Sequence, residues 1–258
     1  MPTIKYRTHA IGLPPRKIKL EVPGWSGDKD QNSQWRCLPW CAGATYGLEL
    51  IYPFDTEITV TSKDGISEFH YENWTKDLQF PFKNFAPNHF GFTSLLDINP
   101  GEGMSTMILP HPRYYTDSTG NVPLAIQGML TNWWSKIFFI VFKAPLNNQE
   151  YIFKKGDGIA QFIFVPSEVE YDIQPMSIQE ARNREMFEVL VTKHEKKIAT
   201  KTWKDADGNE FDNKYKVLSM LDKKGELNKF LNKLKIEDED FKKTSAEKRK
   251  NKMKRRLL

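Results

Sequence analysis

The residues able to do chemistry are few and scattered. The histidines are His9, His70, His89, His111 and His194, and no two stand at the H-x-H or H-x3-H spacing of a metal pair. His89 and His111 could approach one another in space, but a lone histidine beside Phe90 or Pro110 reads first as a packed, hydrogen-bonded side chain. Cys37 and Cys41 are spaced C-x3-C, without a second cysteine pair to complete a zinc knuckle. Two buried thiols are therefore expected, with Pro39 between them disfavouring a regular helix. The sequence contains no P-loop, G-x-S-x-G, H-E-x-x-H or G-x-G-x-x-G string. Asp205-Ala206-Asp207-Gly208-Asn209 hints at a calcium loop, but its glycine is misplaced for an EF-hand and an Asp-Gly turn is expected. No cofactor or metal is expected. What remains is aromatic and basic: Arg113-Tyr114-Tyr115 and Trp133-Trp134. An exposed tryptophan beside Arg113, Tyr114 and Tyr115 would make a ligand pocket or a subunit interface; the alternative is that both tryptophans cap the core.

The charge is concentrated at one end. The chain carries +5 overall, and residues 241–258 hold nine Lys/Arg and one acid, Glu247. Subtracting that tail's +8 from +5 leaves residues 1–240 at −3. Lys248, Arg249, Lys250, Lys252, Lys254, Arg255 and Arg256 could bind nucleic acid or an acidic surface through phosphate or carboxylate neutralisation. The alternative is a solvated end. No apolar run reaches membrane-spanning length and residues 1–20 lack a signal-peptide core. A cytoplasmic protein without a membrane partner is expected.

The elements that must hold these residues are mostly strands. Ile137–Phe142, Tyr151–Phe153 and Ile159–Val165 are short apolar runs, the last opened by the Lys155-Gly156-Asp157-Gly158 turn and closed by Pro166. Strands this apolar need cover on both faces, as in a barrel or sandwich. Glu57–Thr61 alternates, Lys63-Asp64-Gly65 is a hairpin turn, and Ile66–Trp74 returns beside it. Residues 75–90 read as a loop pinned by Phe80, Phe82, Phe85 and Phe90. Gly91–Ile98 and Met104–Leu109 complete the strands. Residues 1–35 read as an extended arm with one short strand at Ile18–Val22, wrapping either a neighbouring subunit or its own body. After residue 175 the pattern turns helical. Ser177 and Glu180 form a capping box for a helix from Ile178 to about Thr200, with Met186, Phe187, Leu190, Val191 and Ile198 as its apolar stripe. Tyr215, Leu218 and Leu221 mark a second helix, and Leu227, Phe230, Leu231 and Leu234 a third. The expected division is a 1–35 arm, a 36–175 β domain, a 176–240 helical appendage and a 241–258 basic tail.

Four segments, in order, resemble the motifs of the trimeric dUTPase and dCTP deaminase superfamily. Gly47-Leu48-Glu49-Leu50 is similar to the first motif, with Glu49 where that family has Asp. Pro112-Arg113 resembles the start of the second, Gly128-Met129-Leu130 the opening of the third, and residues 155–166 the fourth. The resemblance implies a mainly β, β-clip (dUTPase-like) fold with a helical appendage, a homotrimer, and ligand contacts at Glu49, Arg113, Tyr114, Thr131, Trp134 and Gln161. It also implies what is missing. Thr131 stands where the family has its water-activating aspartate, Trp134-Ser135-Lys136 where it has Tyr-Arg-Gly, and Tyr114-Tyr115 where it has Ser-Gly. The glycine-rich fifth motif is absent from the sequence. Without that base and phosphate loop, dUTP or dCTP hydrolysis is not expected by the family's route. The expectation is a non-catalytic protein acting through oligomeric assembly or binding, such as a phage structural or accessory protein. The alternative is a nucleotide-binding protein or enzyme with its pocket at a subunit interface. Cys37-Leu38-Pro39-Trp40, Tyr46-Gly47, Pro53-Phe54-Asp55 and His89-Phe90-Gly91 are also similar to a family of bacterial and phage proteins that brings no known activity.

Overall fold

The structure, a computed structural model, describes residues 3–19, 38–74, 78–116, 120–204 and 210–238. Residues 3–19 and 38–171 belong to one compact unit and 172–238 to another.

The first unit is built from antiparallel strands. In order they are β1 (Lys5–Thr8), β2 (Arg16–Lys17), β3 (Leu48–Ile51), β4 (Ile58–Lys63), β5 (Ile66–His70), β6 (Phe82–Ala86), β7 (His89–Thr93), β8 (Leu96–Asn99), β9 (Met104–Pro110), β10 (Gly128–Thr131), β11 (Phe139–Lys143), β12 (Glu150–Phe153) and β13 (Gly158–Pro166). A short helix, α1 (Leu38–Ala44), precedes β3. The sheets run β10-β9-β13-β3-β2, β11-β7-β6, β12-β4-β5 and β1-β8. All four contribute to one core, which includes Leu50, Tyr52, Ile58, Phe82, Phe90, Phe92, Leu96, Phe142, Phe153 and Phe162. The alternation of Ile58, Val60 and Ser62 inward explains why β4 shows a period of two, whereas β13 is buried from Gly158 through Phe162 and shows none. The mainly β class expected from the sequence is the one observed.

Several elements differ from expectation. Phe82–Ala86 is a strand: Phe82 points into the core and Asn84 clamps Ser67 by bonds to its N–H and C=O, each 2.8 Å. The density of Phe and Pro concealed it. Pro39 sits in the first turn of α1, where a missing N–H costs nothing, so the helix forms despite it. Cys41 is half-buried in that helix, and Cys37 lies outside the described residues. The described part of the arm packs on its own chain, β1 along β8 and β2 along β3. A strand forms at Arg16–Lys17, and Ile18 and Lys19 are not part of it; residues 20–22 of the expected strand lie outside the described residues.

The second unit holds α2 (Ile178–Lys193), α3 (Glu195–Ile198), a hairpin of β14 (Thr202–Lys204) and β15 (Glu210–Asp212), α4 (Lys214–Lys223) and α5 (residues 227–238). The capping box is present: Ser177 Oγ accepts from the Glu180 N–H, and the Ser177 N–H donates to the Glu180 carboxylate at 2.8 Å. The helix stops at His194 rather than near Thr200. Met186 and Phe187 are exposed, so the buried row is Leu190, His194 and Ile198, spaced four apart. The hairpin was hidden because its strands are three residues long. Its expected Asp207-Gly208 turn and the 241–258 tail lie outside the described residues. No described helix is long and apolar enough to cross a membrane.

Candidate functional site

The four motif-like segments meet in one sheet. Within β10-β9-β13-β3-β2, β3 carries Glu49, β9 leads into the Pro112–Thr116 turn, and β13 carries Gln161. Arg16, Glu49, Gln161 and Leu109 stand opposite one another across four strands, which fixes their register.

Glu49 is the centre of this row. Its carboxylate is only 3% exposed, and a buried charge is costly unless paired and hydrogen-bonded. The structure meets that demand twice. His111 donates from Nε2 to Glu49 Oε2 at 2.7 Å, and Arg16 donates from Nε to Oε1. The His111 tautomer follows from its other nitrogen, because Nδ1 accepts the Arg113 backbone N–H at 3.2 Å. Burial is the largest single influence on Glu49 and pushes its carboxyl up. The hydrogen bonds from His111 and Arg16, with their electrostatic attraction, together outweigh it and hold the group below its ordinary value.

The surrounding side chains are committed in the same way. Arg16 Nη2 also donates to the Gly156 carbonyl at 3.0 Å. Arg113 pairs with Asp157 at 2.9 Å and lies 5.3 Å from the centre of the Tyr114 ring. Burial pushes the Tyr114 phenol well above its ordinary value, so it stays neutral. Gln161 donates to the Gly43 and Tyr46 carbonyls at 2.9 and 2.7 Å, anchoring the chain between α1 and β3. Gly158 explains why this turn needs glycine. A Cβ there would stand 2.4 Å from Glu49 Oε2 and 2.5 Å from His111 Nε2. Gly47, at φ +82°, allows β3 to begin against the Phe162 carbonyl.

Thr131 and Trp134 are elsewhere. Thr131 pairs with Ser105, at the opposite end of β9 from His111. Five residue steps along the strand separate Ser105 from Pro110, about 17 Å. The chain turns there, with the Trp134 N–H donating to the Thr131 carbonyl at 3.0 Å. Trp133 is 76% exposed and Trp134 39% exposed, so neither caps the core. They meet edge to face, and Lys136 lies 4.9 Å above the Trp134 ring. Within one chain the Arg113–Tyr114 corner and the Trp134 corner are therefore separate.

Sequence reasoning missed His111, Arg16 and Asp157 as members of the cluster. The available signal was Glu49 itself, a carboxylate inside the apolar run Leu48-Glu49-Leu50-Ile51, which demands a basic partner. Sixty-two positions separate Glu49 from His111, and the pattern of one strand cannot select among distant bases. His89 does not join them; its Nδ1 is bonded to the Pro87 carbonyl at 2.9 Å. Among the described residues no group of three His, Cys, Asp or Glu could hold a metal ion.

No family model matches the chain, and no curated protein matches it. Among solved structures it is similar to the dUTPase from phage phi11 of S. aureus, at TM-score 0.37 and 10% identity, covering 69% of this chain and 98% of that one. It is similar to the Staphylococcus bacteriophage 80alpha dUTPase at TM-score 0.38 and 10% identity, covering 69% and 99%. It is also similar to the EIAV dUTPase at TM-score 0.34 and 10% identity, covering 68% and 98%. Likeness at this level transfers no residue role to this chain.

Proposed function

We propose that this chain is a non-catalytic β-clip protein that works through homo-oligomeric assembly, as a trimer, and through binding. The observation that carries this reading is the closure of the Glu49 network. Both carboxylate oxygens are engaged by His111 and Arg16, and Gln161 and Arg113 are likewise committed within the same chain. A general base needs a free lone pair within reach of a water or substrate proton, and here the buried carboxylate serves to lock β2, β3 and the turn after β9 together. At the third-motif position Thr131 supplies a hydroxyl and no carboxylate.

The assembly half of the proposal rests on the exposed Trp133–Trp134 corner beside β10, an edge strand of its sheet. Large aromatic side chains at an open edge suit a protein partner. The second reading, a nucleotide pocket at a subunit interface, is favoured by one feature. Arg113–Tyr114 and Thr131–Trp134 lie at opposite ends of β9, so a pocket using both needs a second copy. In either reading the protein acts in the cytoplasm, or in a virion if the source is a phage.

Light scattering at micromolar concentration tests the assembly, with a particle of three times the 30.1 kDa chain mass expected. A stable monomer would overturn it. A thermal-shift panel of nucleotides separates the two readings: the first expects no stabilisation, and strong stabilisation by one nucleotide supports the second.

A further inference from the structure

The helical unit closes on a small apolar cluster of Leu190, Ile198 and Leu234, flanked by Val191, Val217, Leu218, Phe230 and Leu231. His194 interrupts this surface. It lies four residues after Leu190 and four before Ile198, so it shares their face, and it is 8% exposed. It ends α2 and begins α3. Its Nε2 is buried without a hydrogen-bond partner, an arrangement that costs stability. Asp238, the last described residue of α5, places Oδ1 3.9 Å from that nitrogen, just beyond hydrogen-bond reach.

We infer that His194 and Asp238 form a proton-operated latch that fastens α5 to the α2–α3 junction. Protonation puts a charged N–H on Nε2 facing the carboxylate, and a small approach of Asp238 then closes a charge-assisted hydrogen bond. The C-terminal end of α2 favours a cation at this position. The other charged groups around the ring are largely matched. Lys193 on α2 pairs with Asp238, and Lys197 on α3 pairs with Glu237 on α5 at 2.8 Å. Glu195 on α3 pairs with Lys214 on α4 at 3.2 Å, and Lys233 on α5 acts on Glu237. Histidine is the side chain that gains a proton most readily on mild acidification, so the latch engages when the ring is protonated. This inference is independent of what the β unit binds.

The test uses the full chain. The His194 ring signal is titrated by NMR from alkaline to mildly acidic pH, in the native protein and in D238N. The midpoint should be lower in D238N than in the native protein, while K193Q, which keeps the His194–Asp238 pair, retains a midpoint above that of D238N. Hydrogen exchange of α5 amides, corrected for intrinsic rates, should slow roughly threefold on acidification in the native protein and not in H194Q. Equal midpoints in native and D238N proteins, or the same acid-induced protection in H194Q, would overturn the latch.

Discussion

The two ends of β9 were cut to different purposes. At the His111 end two carboxylates, Glu49 and Asp157, an imidazole and two guanidinium groups are matched within one chain, with Glu49 and His111 buried. At the Ser105 end, where Thr131 and the tryptophan pair sit, apolar surface stays open. Under the proposed assembly role the matched polar cluster holds the strands together, and the open aromatic surface lies at the other end. Satisfied charge stabilises and fixes register; unsatisfied aromatic surface invites a partner.

The comparison is broken most forcefully at Glu49. E49A leaves the buried His111 and the Arg16 guanidinium without their acceptor, and removing one member of a buried pair costs about 3–5 kcal/mol. Urea unfolding should show that loss. Glu49 also gives the sign of the acid response. Its folded-state carboxyl is lowered, so its contribution is present above its ordinary value and is lost as pH falls through the lowered one. Stability of the native protein should drop on acidification below about pH 4.5, with E49Q starting lower and falling less steeply. G158A is the next largest change. Its methyl group would overlap Glu49 and His111, and overpacking of this kind costs roughly 1–3 kcal/mol in the same unfolding experiment.

At the other end the expected effect on folding is small. The double change W133A/W134A touches exposed rings, so stability should stay within about 0.5 kcal/mol, while light scattering should show the proposed trimer dissociating. Unchanged trimers would place the interface elsewhere. Smallest of all is tail removal. A chain ending at residue 240 should unfold like the full chain. If residues 241–258 bind nucleic acid, it should also lose a salt-sensitive, sequence-independent affinity for labelled DNA or RNA. Equal binding by both chains would leave the tail as a solvated end.

Much of the β unit was legible because apolar runs such as Ile159–Val165 and turns such as Lys63-Asp64-Gly65 are local signals. The illegible parts depend on distance. Strands β1 and β2 form only because β8 and β3 offer edges to pair with. Phe82 looked like a loop anchor because its strand identity comes from pairing with Phe92. At the candidate site the sequence supplied Glu49, Arg113, Tyr114 and Gln161, and it also supplied the exposed Trp134. It could not supply the join between Glu49 and His111, nor the separation of Thr131 from Arg113, because both are consequences of strand register.

The most direct test asks whether the Glu49 network is a lock or a catalyst. Full-length protein and E49Q are incubated with dUTP and with dCTP, and phosphate or pyrophosphate release is followed while circular dichroism monitors folding. No release above the uncatalysed background by either protein, together with a lower melting temperature for E49Q, is the predicted result. Turnover by the native protein that vanishes in a fully folded E49Q would contradict it.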